Sequence, residues 1–239
     1  MTNIIKSRNL FLLIVLCLSF LLMSCSNADN QGNTQSNEVT QKIESQEESA
    51  DSPYLVGKDY GVLSKEYDSE SPNKVVVYEF FGYTCPHCFH FEPFIEPWAQ
   101  SKADNVDFIK VPLNFHPSWS IYQQAYLTAK AMGIADQTHK VLFKALHEKN
   151  RRFRTIEELA AWYEDETGVD KDKFISTANS FIIDSNQLKA DGMGAKMQIT
   201  GTPTVIVDGK YKVLPKKDRA EEIKVLNFLI EKRAKEKGL

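Results

Sequence analysis

The run Val75-Val76-Val77-Tyr78-Glu79-Phe80-Phe81, broken by Gly82-Tyr83-Thr84 and then by Cys85-Pro86, constrains this chain more than any other stretch. A nearly unbroken β-branched and aromatic segment bounded by turn residues reads as a buried central strand, here Lys74 to Phe81. Pro86 fits the first turn of a helix, where its missing N–H leaves no bond unmade. Cys85 and Cys88 therefore stand at a strand-to-helix junction, with Pro86 and His87 between them.

The rest of the chain sorts around that junction. Tyr60 to Tyr67 is a weak strand candidate, Ser69 to Asn73 a turn, and Val106 to Leu113 a further strand. Pro93 and Pro97 are expected to kink or end the helix that starts at Pro86. A helical block follows: one helix capped by Ser118 or Ser120 and running to Gly133, then Asp136 to Lys149. Next comes a helix opened by a Thr155/Glu158 capping box and closing near Gly168, followed by Lys171 to Ser180 and Asp184 to Met197. Thr204 to Val207 and Tyr211 to Leu214 form a hairpin about Asp208-Gly209, and Ala220 to Lys237 is an amphipathic closing helix. The order predicts an α/β sheet with an inserted helical block at about residues 118–181.

The N-terminus reads as export and anchoring. Lys6 and Arg8 precede an apolar run from Leu10 to Leu22, shorter than the roughly 20 residues a bilayer span needs and suited to a signal-peptide core. The run ends in Leu22-Met23-Ser24-Cys25, which resembles a bacterial lipobox. Residues 1–24 are thus expected to be a lipoprotein signal, Cys25 the acylated residue, and residues 25–52 a disordered tether with few large apolar side chains and a reach of about 30 Å. The domain proper is residues 53–239. Without Lys6 and Arg8 the chain's net charge of −3 becomes −5, and the tether carries all of that, so the domain is about neutral. A neutral domain offers no electrostatic footprint for nucleic acid.

Of four cysteines, Cys17 leaves with the signal and Cys25 is assigned to lipid, so only Cys85 and Cys88 remain in the domain. A domain of roughly 190 residues in an oxidising compartment builds its core without a disulfide framework, and a lone close pair points to chemistry. At a helix N-terminus the Cys85 sulfur meets unsatisfied amide N–H groups and the positive end of the helix dipole, and His87 adds a further favourable partner for a thiolate. A zinc site would need four ligands, whereas His116, His139 and His147 are scattered. Covalent haem would need His directly after Cys88, where Phe89 stands. Glu79 lies in the middle of the apolar strand. It either points to a solvated face, or it is a buried acid beneath the sulfurs that moves the proton of Cys88. Thr202-Pro203 directly precedes a strand. It is either a strand-start proline or a cis bond that leaves the Thr202 backbone free for a substrate strand. Phe89, His90, Phe91, Phe94, His116, Trp119 and Trp162 read as core or rim.

Glu79-Phe80-Phe81, Cys85-Pro86-His87-Cys88, Thr202-Pro203-Thr204 and Asp208-Gly209-Lys210-Tyr211 together resemble the DsbA family of thioredoxin-fold oxidoreductases. The resemblance spans Val75 to Val213 and implies a thioredoxin fold with an inserted α-helical domain. It implies catalysis by Cys85 (attacking), Cys88 (resolving), His87 and Glu79 through a Cys85–Cys88 disulfide, with Thr202 and Pro203 binding substrate. No cofactor or metal is implied. The implied partners are unfolded or reduced exported proteins, a DsbB-like quinone-linked membrane oxidase, and the membrane itself through the lipid anchor, which places the domain in the periplasm. Thr202 stands where enteric family members usually carry Val and resembles the isomerase and reductase branches. A reductase or isomerase of the same fold is therefore the alternative to a disulfide-introducing oxidase, and a non-catalytic, lipid-anchored polypeptide-binding protein is the alternative from another class.

Overall fold

The computed structural model describes residues 52–69 and 71–239. The expected signal segment, Cys25 and all but the last residue of the expected tether lie outside the described residues. The sheet has five strands in the order β1-β5-β4-β2-β3, with β1 Tyr60–Val62, β2 Val75–Phe81, β3 Val106–Pro112, β4 Thr204–Val207 and β5 Tyr211–Val213. Only β2 and β3 pair in parallel; the remaining neighbours are antiparallel. The weak first strand forms only as far as Val62.

β2 is buried at every position, which is why its sequence does not alternate. Alternate side chains leave on opposite faces of the sheet. Val76, Tyr78 and Phe80 pack with Ala190 and Met197 around helix α6 (Phe181–Lys196). On the other face Val75 and Val77 pack with Phe91 and Ile95 of α1 (Pro86–Ser101) and with Val225, Leu226 and Leu229 of α7 (Arg219–Lys237). Phe81, further along that face, joins Cys88 and the helices inserted after β3. Those are α2 (Ser120–Ala131), α3 (Ala135–His147), α4 (Ile156–Thr167) and α5 (Lys171–Ala178). The result is the α/β thioredoxin fold with a helical insertion.

α1 runs on through Pro93 and Pro97, so neither of the two prolines expected to kink or end it ends it. The two prolines are four residues apart and both exposed, so the helix carbonyls they leave without an N–H partner lie on its solvent side. Cys88, Phe91, Glu92, Ile95 and Trp98 hold the opposite face in the core. Ser120 begins α2 rather than capping it; a short 3-10 turn at Pro117–Trp119 leads in, with the His116 ring accepting from the Ser118 N–H. The Thr155 side chain accepts from the Glu158 N–H, but the Glu158 carboxylate takes the N–H of Arg154, so the capping box closes one residue early.

The β4–β5 turn has positive φ at both central residues, 49° at Asp208 and 66° at Gly209, as the hairpin signal requires. A side chain at Gly209 would also overlap the Tyr67 carbonyl. Asp208 is 2% exposed and ties three elements together. It accepts from the Val76 N–H at 3.2 Å and, from α7, from Arg233 Nε at 2.8 Å and Lys237 Nζ at 3.0 Å.

Candidate active site

The loop from β2 into α1 is shaped by one close approach. A Cβ at Gly82 would overlap the Trp119 ring, so only glycine lets the start of the insertion lie against this loop. The Gly82 carbonyl then accepts the Cys85 N–H at 3.1 Å, closing a turn that delivers Cys85 to the N-cap of α1. Since Pro86 has no N–H, the first free amides of the helix are those of His87 and Cys88, and both point at the Cys85 sulfur.

Both cysteines are free thiols in this structure, and their environments differ sharply. Cys85 keeps 6% exposure and Cys88 none. The Cys85 pKa is drawn down from 9.0 to about 5, first by a hydrogen bond from Cys88, then, against the opposing effect of burial, by the Thr202 side chain and the two amides. Burial, together with the hydrogen bond it gives Cys85, pushes the Cys88 thiol up. One sulfur is thus poised as an anion at the surface and the other sealed as a proton donor beneath it.

The Thr202–Pro203 bond is cis. The Thr202 carbonyl, expected to be free for a substrate strand, lies 3.4 Å from Cys85 Sγ and accepts from it only while that thiol is protonated. Thr202 and Pro203 therefore lie against the reactive sulfur although 117 residues separate Cys85 from Thr202. The His87 side chain is exposed, and its visible contribution to Cys85 is its backbone N–H.

Glu79 is fully buried on the face of β2 that also carries Val77 and Phe81, and neither of its carboxyl oxygens has a hydrogen-bond partner. Its pKa is raised from 4.5 to about 8, chiefly by burial and next by the charge of Glu92, against the pull of Lys110. The solvated-face reading is excluded by this burial.

Around Glu79 the fold assembles groups that sequence reasoning left unassigned. Lys110 is its register partner on β3 and bonds Glu96 at 2.6 Å while standing 4.0 Å from Glu92. His139 of α3 lies 3.0 Å from Glu92 Oε1 through Nε2 and 2.9 Å from the Tyr83 hydroxyl through Nδ1. His147, two turns along α3, donates to the Tyr83 carbonyl at 2.7 Å and stacks on Phe89. A cleft of about 350 Å³ between α1 and α3, lined in part by Glu92, Glu96, Pro93 and Phe143, opens this cluster toward solvent. The signal that could have found Glu92 and Lys110 is the one used for Glu79: a charge on the apolar face of a helix or inside an apolar strand.

Residues 76–225 match the model of the DSBA-like thioredoxin domain. The chain is 38% identical over 181 residues to the thiol:disulfide interchange protein DsbA of Pseudomonas aeruginosa, covering 75% of this chain and 85% of that one. It is 34% identical to the protein of the same name from Burkholderia cepacia over 177 residues, 73% of this chain and 83% of that one. Its structure is similar to crystalline Pseudomonas aeruginosa DsbA, with a TM-score of 0.73 at 37% identity over 78% of this chain and 97% of that one. It is also similar to the oxidoreductase NmDsbA1 of N. meningitidis, with a TM-score of 0.69 at 28% identity over 77% of this chain and 96% of that one. With a thioredoxin sheet, a helical insertion and two unequal cysteines at the mouth of α1, the chain belongs to the DSBA-like thioredoxin family and is a thiol:disulfide interchange oxidoreductase.

Proposed function

We propose that the enzyme runs as an oxidant, introducing disulfides into unfolded or reduced exported polypeptides. The observation that carries this reading is the Cys85 sulfur, held as a thiolate by donors from Cys88, Thr202 and the His87 and Cys88 amides. A thiolate exists only in the reduced enzyme, so stabilising it drives the enzyme's own disulfide toward reduction, the effect for which DsbA is the known example. A drop from 9.0 to about 5 leaves two units of that stabilisation in force at pH 7. This amounts to about 3 kcal/mol, or about 60 mV on a two-electron couple.

In the oxidised enzyme a substrate thiolate attacks Cys85 Sγ, the more exposed of the two sulfurs. The Cys85–Cys88 bond breaks, and Cys88 leaves with the electron pair and takes a proton, which Glu79 supplies from its neutral carboxyl. A second substrate thiolate then attacks the substrate sulfur of the mixed disulfide. Cys85 departs as the stable thiolate, and two electrons have passed from substrate to enzyme. Thr202 and Pro203 hold the substrate as an added strand beside Cys85, and the exposed His87 imidazole further favours the thiolate. A DsbB-like, quinone-linked membrane oxidase returns the enzyme to its disulfide form. Cys25 carries the lipid that keeps the domain at the periplasmic side of the cell envelope, a reading supported by the lipobox-like sequence and the polar residues after it.

Equilibration with glutathione tests the direction. The expected potential lies at least about 50 mV above the −270 mV of thioredoxin, whose attacking thiol ionises near pH 7. A value at or below thioredoxin's would contradict the oxidant reading and favour the reductase reading that Thr202 suggests, in which the protein is found reduced when its thiols are trapped in cells.

A further inference from the structure

Behind α1 three carboxyl groups share one ammonium. Glu79 comes from β2, Glu92 and Glu96 from α1, and Lys110 from β3. From the insertion come His139 on α3, Tyr126 on α2 and Tyr163 on α4, with Tyr83 from the catalytic loop. The exchange reaction as proposed uses only Glu79. Ionising all three carboxyls would give the cluster two negative charges in excess of its one ammonium, with Glu79 and Glu92 both buried, so the cluster must retain a proton. The geometry decides where. Glu96 is part-exposed and takes the short bond from Lys110 at 2.6 Å. Glu92 Oε1 faces His139 Nε2 at 3.0 Å. Glu79 has a donor at neither oxygen.

The protonation of His139 follows from its other partner. Burial holds the ring neutral, and burial likewise keeps the Tyr83 phenol protonated. We assign the Tyr83 hydroxyl, 2.9 Å from Nδ1, as the donor to that nitrogen, which places the single ring proton on Nε2, 3.0 Å from Glu92 Oε1. A line of donors thus runs from Tyr83, two residues before Cys85, through His139 to Glu92.

We propose that His139, supplied by the helical insertion, is a positioning residue that fixes Glu92 as the charged carboxylate of the cluster and so keeps the shared proton on Glu79. The proposal rests on the reading of Glu79 as the proton source only for its use in catalysis; the placement of the proton is independent of it. Without the His139 donor, Glu92 has no hydrogen bond for either oxygen. The proton moves to Glu92, and Glu79, relieved of the neighbouring negative charge, ionises more readily.

The test is carboxyl-carbon NMR titration of the oxidised full chain, glutamate-labelled, with the Glu79 signal assigned by its loss in Glu79→Gln. In His139→Phe the Glu79 midpoint is expected to fall by about one unit or more, a tenfold loss of proton affinity. In His139→Gln, whose amide still donates to Glu92, it is expected to stay within about half a unit. A His139→Phe midpoint as high as that of the unmodified chain overturns the proposal, because a histidine that merely fills space would leave the midpoint in place. Should His139→Phe not fold, Glu92→Gln decides: it must lower the Glu79 midpoint, and adding His139→Gln to it must change nothing further. Failure of either condition overturns the proposal. Normal disulfide-exchange rates in Glu79→Gln would instead remove the catalytic reading of Glu79 and leave the titration result standing.

Discussion

Replacing Glu79 by Gln should stabilise the oxidised protein, and by an amount that depends on pH in a definite way. The carboxyl titrates near 8 in the fold and near 4.5 in the unfolded chain. Between those values the unfolded chain gives up a proton that the folded protein keeps, so stability falls as pH rises, by about 1.4 kcal/mol per unit. The contribution of this group is most favourable below pH 4.5 and is lost progressively as pH climbs to about 8. At pH 7 it opposes folding by about 3 kcal/mol and at pH 4.5 by well under about 1 kcal/mol. Glutamine has nearly the same shape and no ionisation, so the stability gained by the substitution should be about 3 kcal/mol greater at pH 7 than at pH 4.5. Urea unfolding of the two disulfide forms measures this, and the extra gain corresponds to a midpoint shift of about 1–1.5 M for a domain of this size. A difference between the two proteins that does not change with pH would show that Glu79 ionises as freely in the fold as in the unfolded chain, and the reasoning about its burial would fail.

Other substitutions test the scaffold and the thiol pair. Gly82→Ala drives a methyl into the Trp119 ring and should destabilise the protein by about 1–3 kcal/mol in thermal unfolding, while Gly192→Ala in α6, where a methyl meets nothing within 4 Å and φ is ordinary, should not. Asp208→Ala leaves Arg233 and Lys237 without their buried acceptor and should lower stability by about 3 kcal/mol, with Asp208→Asn intermediate. The Asp208 carboxyl, held low by Arg233 and Lys237 against its own burial, also supplies stability that is present above pH 4 and is lost as pH falls through its depressed folded-state value, so Asp208→Ala should flatten acid unfolding. Cys88→Ala removes the leading donor to Cys85 and should raise the pH at which Cys85 is alkylated by about a unit, whereas Cys88→Ser keeps a donor and should raise it less.

The sequence carried most of this fold because its strongest signals are local. Val75 to Phe81 is apolar on both faces, Glu79 apart, because helices cover both, Asp208-Gly209 supplies the two positive φ values of its hairpin, and Asp218 caps α7 so that it begins at Arg219, one residue ahead of the expected start. Local reading failed where tertiary packing overrode it. The prolines of α1 look like helix breakers until their exposed face and the anchored apolar face opposite are known. At the site, the two cysteines and the cis proline were legible from their motifs, while the cluster around Glu79 was not. His139, Glu92 and Lys110 lie on three elements, and no spacing rule brings a histidine 47 residues away onto Glu92. The His87 backbone N–H was illegible for a similar reason: the sequence cannot aim an amide, and the loop points this one at the Cys85 sulfur.

The most direct test is the rate of Cys85 alkylation in the reduced protein, followed from about pH 3 to pH 9 alongside the ultraviolet absorbance of the thiolate. The account predicts a midpoint near 5, with Cys88 unreactive throughout because it is fully covered. A midpoint near that of free cysteine, about 8.5, would contradict it, since an ordinary thiol at this position gives the enzyme's disulfide no reason to pass to another protein.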